Sequence, residues 1–137
     1  EDRFVTLILA VVDPVKHEVT LVNAGHMAPL LRRASGKIDA VGEECAGLPI
    51  GIDADYEYDE FRLTLAPGET LTLFTDGFSE AMNQANDLYG IERIQEQLAS
   101  DESCSGKLGS RLLDDVKRFV GGRAQSDDMC LICFGRQ

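Results

Sequence analysis

Apolar runs along the chain predict several β-strands before any helix. Residues 3–12 are almost all apolar and rich in β-branched side chains, which predicts a strand covered on both faces. A turn over residues 13–17 and a second strand over residues 18–24 complete a predicted hairpin. Another short strand is expected over residues 29–33, followed by a turn over residues 34–37.

Three further strands are predicted after a glycine-rich loop. The loop covers residues 41–55, and residues 56–65 then alternate between apolar and polar with a charged start, as edge strands do. Thr and Leu alternate over residues 70–74, which predicts a strand with both faces used. Residues 129–134 are predicted to be a strand with apolar side chains on both faces. The apolar loop residues expected to pack against the body of the protein are Leu48, Ile50 and Ile52.

Helical spacing is confined to the second half of the chain. A short helical turn is predicted over residues 79–82, and an amphipathic helix over residues 90–99. Ser105 is a candidate N-cap for a longer helix that Gly121 ends. The apolar stripe of that helix is Leu108, Leu112, Val116, Phe119 and Val120.

Strands joined mostly by hairpins, followed by amphipathic helices, indicate a layered α+β fold. One face of a sheet is expected to meet a second sheet, and the other face to meet helices. The 137 residues suit a single domain over residues 1–137. The chain opens without Met and shows no signal peptide, so we interpret it as a piece of a longer protein.

The charge balance disfavours polyanionic partners. The chain has 13 basic and 24 acidic residues, for a formal net charge of −11. Nucleic acids and anionic membranes are bound mainly through Lys and Arg, so neither is expected as a partner. No segment approaches the roughly 18–20 apolar residues that a membrane helix needs.

Four cysteines, at positions 45, 104, 130 and 133, bear on the compartment. Cys130 and Cys133 form a Cys-x-x-Cys motif, but residues i and i+3 of a strand point to opposite faces. They are therefore not expected to share a zinc ion or form a disulfide. Buried, reduced core cysteines in a cytoplasmic protein are the preferred interpretation.

Two acidic pairs flank predicted strands. Asp76 and Gly77 directly follow one strand, while Asp127 and Asp128 directly precede another. Alone, each pair is more often turn or solubility chemistry than a metal site. If the strands are neighbours, the carboxylates would converge on one hard cation, because such cations prefer oxygen ligands. A glycine next to a carboxylate also lets backbone or ligand come close.

Six short motifs occur in a fixed order along the chain. They are Asn23-Ala24-Gly25-His26, Gly47-Leu48-Pro49-Ile50-Gly51, Pro67-Gly68-Glu69, Thr75-Asp76-Gly77, Tyr89-Gly90-Ile91-Glu92-Arg93 and Asp127-Asp128-Met129. As a set they resemble the PPM (type 2C) metal-dependent Ser/Thr protein phosphatases, in particular the bacterial SpoIIE/RsbU-like branch. The resemblance covers essentially the whole chain.

The resemblance implies a layered α-β-β-α sandwich of antiparallel sheets flanked by helices, with a binuclear Mn²⁺ or Mg²⁺ centre at one end. Asp76, beside Gly77, and Asp127 match metal ligands of the family. Asp128 stands where relatives carry Asp or Asn. His26 stands where many eukaryotic relatives have an acidic residue associated with an additional metal; the alternative is a hydrogen-bonded histidine that braces a turn.

The remaining sequence agrees with a metal-activated water as the nucleophile. The chain has neither a Gly-x-Ser-x-Gly elbow nor a Gly-x-x-x-x-Gly-Lys-Ser/Thr loop. The family's metal-bridging Asp-Gly lies upstream of the position that Glu1 occupies. By this resemblance the chain is the C-terminal portion of a phosphatase domain without its N-terminal strands. Alone, it is expected to be nearly inactive and to form homodimers.

Two functions from different classes follow. The first is a phosphatase module that acts on phosphoserine or phosphothreonine in a bacterial regulatory protein, of the anti-anti-sigma type by resemblance. The second is a non-catalytic protein-interaction domain that keeps the phosphatase fold. The presence of both Asp76 and Asp127 favours the first, because a degenerate site would be free to lose them.

Overall fold

Two antiparallel sheets face each other in the computed structural model, which describes residues 3–100 and 104–137. The first sheet has the order β1-β2-β5 and the second the order β4-β3-β6-β7. The strands are β1 (Leu7–Asp13), β2 (Glu18–Ala24), β3 (Leu30–Arg32), β4 (Ile38–Ala40), β5 (Glu60–Thr64), β6 (Thr70–Phe74) and β7 (Leu131–Gly135). Every pairing within the two sheets is antiparallel, as predicted.

The first core lies between the two sheets. In β2 every second residue points into it, because side chains alternate along a strand, and Val19 and Leu21 are both buried. All five residues of β6 are buried, which confirms a strand used on both faces. The buried residues of this core are Val19, Leu21, Leu31, Val41, Leu65, Leu71 and Leu73.

Three helices cover the other face of the second sheet. They are α1 (Asp76–Ser79), α2 (Gly90–Leu98) and α3 (Ser105–Val120). Their apolar stripes form a second core, to which α3 contributes Leu108, Leu112 and Val116. The layered α+β class is therefore confirmed. In the described ranges no helix covers the outer face of the first sheet, and none is long and apolar enough to cross a membrane.

The ends of the helices differ in two places from the sequence prediction. Ser105 is the first residue of α3 rather than its N-cap; Cys104 takes the cap position and its side chain makes no capping bond. The short helix α1 begins at Asp76, three residues before its predicted start at residue 79. The predicted end of α3 is confirmed, since Gly121 has a φ of +63° that favours glycine.

The first hairpin has a turn fixed by an acidic side chain. Asp13 Oδ1 accepts hydrogen bonds of 2.9 Å from the backbone N–H groups of Val15 and Lys16. These bonds, that of Lys16 first, hold the pKa of the Asp13 carboxyl below its usual value. The predicted hairpin is confirmed, with Val12 paired to Val19.

Two strands predicted to be covered on both faces are exposed on one face. The first strand begins at Leu7 rather than at residue 3, and Leu9 and Val11 are 52% and 60% exposed. In β7, Ile132 is 54% exposed. The prediction failed for β1 because no described helix covers the outer face of its sheet, and for β7 because it is an edge strand. An apolar run does not reveal which neighbour covers it.

The loop over residues 41–55 contacts the body of the protein through its backbone and not through the apolar side chains predicted to do so. Its apolar side chains Leu48, Ile50 and Ile52 are exposed, so they do not pack against the body of the protein. Backbone groups attach the loop instead: Val5 and Ile50 exchange N–H···O bonds of 2.9 and 2.8 Å. A 3-10 turn over Glu43–Cys45 is its regular part.

A buried arginine joins the second sheet to the end of α2. Arg32, in β3, is only 5% exposed. Its Nε donates to the carbonyl of Leu98 (3.0 Å) and its Nη2 to that of Ser100 (2.7 Å). Carbonyls at the end of a helix lack intrahelical donors and carry partial negative charge, so a guanidinium satisfies both requirements.

Replacing this arginine should destabilise the domain. Arg32→Met leaves two carbonyls without their donors, and the free energy of unfolding should fall by about 2 kcal/mol in urea denaturation. Arg62→Met is the matched control, because Arg62 is exposed and donates to Glu60 on the same strand. It should leave unfolding nearly unchanged. Equal effects of both substitutions would contradict the structural role of Arg32.

Candidate functional site

The two acidic pairs lie at the same end of the second sheet. Strand β6 ends at Phe74, which pairs with Leu131 at the start of the antiparallel strand β7. Asp76 follows β6 by two positions and Asp128 precedes β7 by three, so both are next to this end of the pairing. The condition that the two strands are neighbours is therefore met.

Hydrogen bonds of Thr75 extend the β6–β7 pairing beyond the strands. The Thr75 N–H donates to the Cys130 carbonyl at 3.1 Å. The Thr75 hydroxyl accepts from the Cys130 N–H at 2.9 Å and donates to the Asp128 carbonyl at 3.3 Å. The sequence prediction did not assign this hydroxyl a role; its only signal was its place beside Asp76, since its partners lie 53 and 55 positions away.

Gly77 is a point of close contact between the two acidic segments. Gly77 is buried, and a Cβ built on it would collide with the backbone carbonyl oxygen of Asp128. The reason for glycine here is the close approach of another backbone. The predicted role of Gly77, to let backbone come near the carboxylate, agrees with this contact.

Asp76 is held by α1 and not by the strand itself. It is the first residue of the helix, and its carbonyl accepts hydrogen bonds from Glu80 N–H (2.8 Å) and the Ser79 hydroxyl (3.1 Å). Its carboxylate is exposed. The sequence places Asp76 at a strand end, whereas in the structure it is the first residue of α1. Its carboxylate nevertheless lies at this end of the sheet.

Asp127 and Asp128 are also exposed, in an irregular segment with local hydrogen bonds. One carboxylate oxygen of Asp127 accepts from the Asp128 N–H at 2.7 Å. The Asp127 carbonyl accepts from the side-chain amide of Gln125 at 2.6 Å. These bonds orient the Asp127 carboxylate within its own segment.

The chemistry of these residues fits a hard divalent cation, because all the donors are carboxylate oxygens open to water. Among the residues that the structure describes, however, no group of three or more His, Cys, Asp or Glu side chains is placed to hold a metal ion. The described residues therefore fit part of a metal site. Asp76, Gly77, Asp127 and Asp128 remain predicted site residues.

His26 lies on the same side of the sandwich and has a local partner. Its Nδ1 is 3.0 Å from the Met27 carbonyl oxygen. The side chain of Asn23 braces the turn, accepting from the His26 N–H at 2.7 Å and donating to its carbonyl at 2.9 Å. The half-buried ring also lines a cavity of about 230 Å³ with Thr75. This geometry fits the interpretation of a hydrogen-bonded histidine in a turn.

The four cysteines are less buried than predicted. Cys130 and Cys104 are exposed, and Cys45 and Cys133 are half-buried. Cys130 lies outside the regular strand, in the exposed segment before β7. Burial raises the pKa of the Cys133 thiol, which therefore stays protonated at neutral pH and is a poor nucleophile.

Comparison with known proteins identifies relatives of the whole chain. The family model of stage II sporulation protein E (SpoIIE) matches residues 1–137. The phosphoserine phosphatase RsbU of Bacillus subtilis (strain 168) is 32% identical over 137 residues, which cover 98% of this chain and 39% of RsbU.

Two solved structures have the same fold. The SiaA-PP2C domain of Pseudomonas aeruginosa superposes with a TM-score of 0.79 and 21% identity, covering 96% of this chain and 52% of that one. The phosphatase domain of the cell fate determinant SpoIIE from Bacillus subtilis, presoaked with Mn, superposes with a TM-score of 0.71 and 16% identity. The match covers 96% of this chain and 56% of that one. The chain thus spans about half of each solved domain. It belongs to the stage II sporulation protein E (SpoIIE) family and has the PP2C phosphatase fold.

Proposed function

We propose that the complete domain containing this chain hydrolyses phosphoserine and phosphothreonine in a regulatory protein. The observation that carries the proposal is that the β6–β7 pairing brings Asp76 to the same sheet end as Asp127 and Asp128. Family membership supports it, as does the similarity to RsbU, a phosphoserine phosphatase. The target class, an anti-anti-sigma type regulator, rests on the family resemblance.

The acidic residues have distinct roles in this proposal. When bound, a binuclear Mn²⁺ or Mg²⁺ centre supplies a water of lowered pKa and neutralises phosphoryl oxygens. Asp76 and Asp127 hold cations through their carboxylates, and Asp128 contributes less directly. Gly77 keeps the two acidic segments in contact. The Mn presoak of the SpoIIE phosphatase domain supports manganese as one of the metals.

The remaining ligands would come from other parts of the parent protein. No group of three potential ligands is present among the described residues, and the chain spans only 39% of RsbU and 52% of the SiaA-PP2C domain. By the family resemblance, the metal-bridging Asp would be one of these further ligands. On this basis the chain alone would bind Mn²⁺ weakly and turn over little substrate.

The proposed partner is a cytoplasmic phosphoprotein, and not a nucleic acid or a membrane. A formal net charge of −11 gives no long-range attraction for polyanions or anionic lipids. A phosphoprotein is bound locally, through one phosphate group, and neutralisation of that group by metal removes the main electrostatic penalty.

The alternative is a non-catalytic interaction domain with the phosphatase fold. The lack of a three-ligand group among the described residues is the observation that favours it. The two functions differ in one measurable property, because an interaction domain would keep its partner without binding Mn²⁺ or releasing phosphate.

Activity of the complete domain should depend on divalent cations. Hydrolysis of a phosphoserine protein or of p-nitrophenyl phosphate should require Mn²⁺ or Mg²⁺, because the proposed nucleophile is a metal-activated water. Phosphate release is measured with each metal, after EDTA, and after metal is restored. Full activity in excess EDTA would contradict the metal-dependent mechanism.

Individual carboxylates should differ in importance. In the complete domain, Asp76→Asn and Asp127→Asn should each lower kcat by about 100-fold or more, since each removes an anionic ligand without changing volume. Asp128→Asn should be milder, because relatives accept Asn there. Asp114→Asn, at an exposed position of α3, is the matched control. If Asp128 proves the most sensitive position, the assignment is wrong by one residue.

Residues 1–137 alone should self-associate, which we propose occurs by strand pairing between two copies. The outer side chains Leu9 and Val11 and the edge-strand residue Ile132 are exposed, and apolar edge strands promote pairing. Light scattering should show dimers or larger species. Leu9→Lys with Val11→Lys should reduce association, whereas Thr64→Lys on the exposed strand β5 should not. A monomer at high concentration would contradict this proposal.

A further inference from the structure

The segment that carries Asp127 and Asp128 has little regular structure of its own. It runs over residues 121–130, between α3 and β7, and is here called the acidic connection. Within it only Arg123 and Met129 are half-buried; the other residues are exposed. An exposed connection of this kind samples many conformations unless other parts of the protein hold it. Its contacts with the rest of the fold therefore determine where its carboxylates lie.

One attachment is at the end nearest β7. The Thr75 hydroxyl accepts from the Cys130 N–H and donates to the Asp128 carbonyl, so a single side chain binds the connection on both sides of Met129. Thr75 directly precedes Asp76 in the chain. Thr75 is thus adjacent to Asp76 in the chain and is hydrogen-bonded to the acidic connection.

The second attachment is at the end nearest α3. Nη1 of Arg123 donates to the Asn83 carbonyl and to the Asn86 side-chain oxygen, both at 2.7 Å. Arg123 lies four residues before Asp127. Charge-assisted bonds of this length are among the stronger hydrogen bonds in proteins.

The loop that receives Arg123 is itself ordered by internal bonds. Asn83 Oδ1 accepts from the N–H groups of Ala85 and Asp87 at 2.9 Å, and Asn83 Nδ2 donates to the Asp87 carboxylate at 3.0 Å. Asn86 adopts a left-handed backbone conformation, with a φ of +66°, which turns its side chain into this network. The loop follows α1, the helix that begins with Asp76.

We infer that Thr75 and Arg123 are positioning residues that fix Asp127 and Asp128 relative to Asp76. The inference rests on the proposed function and adds two residues to it. Both attach the acidic connection to the part of the chain that carries Asp76, one on each side of the acidic pair. Groups that hydrogen-bond to a metal-binding segment and orient it affect the metal affinity, although they do not contact the metal.

The test uses the complete domain and two pairs of substitutions. Thr75→Val removes the hydroxyl at nearly constant volume, and Arg123→Gln removes the guanidinium. Each should weaken Mn²⁺ binding about tenfold in titration calorimetry, the lower range for loss of such a supporting group. Thr75→Ser and Arg123→Lys keep a donor and should restore most of the affinity.

Matched controls separate positioning from general stability. Thr72→Val removes a buried hydroxyl that faces Cys133 across the same two strands, and Arg118→Gln removes a guanidinium paired with Asp115 on α3. Both should keep the Mn²⁺ affinity within about twofold of the parent, because neither group reaches the acidic connection.

Amide hydrogen exchange of the metal-free domain is the second readout. The Cys130 N–H bonds to Thr75 and the Asp128 N–H bonds to Asp127, so both amides should exchange faster in Thr75→Val. In Arg123→Gln the Asp128 amide should exchange faster. The core amides of β6 should not change in either variant.

The possible outcomes are distinct. If the parent domain binds Mn²⁺ but neither variant loses affinity, the positioning role is wrong and the proposed function stands. An equal loss in variants and controls would assign the effect to general destabilisation, which also overturns the inference. If the parent domain binds no Mn²⁺, the proposed function fails first, and with it this inference.

Discussion

The antiparallel pairing of β6 with β7 is the constraint on which the rest of the site depends. It joins two segments far apart in the chain, with Leu73 opposite Ile132 and Phe74 opposite Leu131. A slip of one residue would turn every side chain of β7 to the opposite face. The register of β6 and β7 therefore sets the place of the acidic residues, and the bonds of Thr75 to Cys130 and Asp128 continue the pairing beyond the strands. Carboxylates of like charge repel one another, so the strand pairing, and not attraction among these residues, brings them to one end of the sheet.

Much of the fold could be predicted, because the apolar spacing along the chain follows the contacts that each element makes. The alternation in β2 and the helical stripe of α3 both correspond to one buried face. The failures have a common cause. Leu9 and Val11 have the same local sequence character as buried strand residues, and only the packing of the helices on the second sheet leaves them uncovered among the described residues.

The residues of the candidate site also fall into those that the sequence predicts and those that it does not. Asp76 and Gly77 could be identified from the sequence because their chemistry is local: a carboxylate followed by a residue without a side chain. The roles of Thr75 and Arg123 could not, because they depend on partners 53 and 40 positions away. A hydroxyl or a guanidinium carries no sequence signal of the carbonyl that it will meet. Only the register of β6 and β7 and the return of the chain after α3 provide that information.

The exposed carboxylates of Asp76, Asp127 and Asp128 couple phosphate binding to cation binding under the proposed function. Without a cation, this end of the sheet repels anions, and a phosphorylated side chain carries a charge of about −1.5 to −2 near neutral pH. A bound cation would remove this repulsion and favour the phosphoprotein. Under the proposed function, the affinity of the site for a phosphate group would therefore rise with the concentration of free divalent cation.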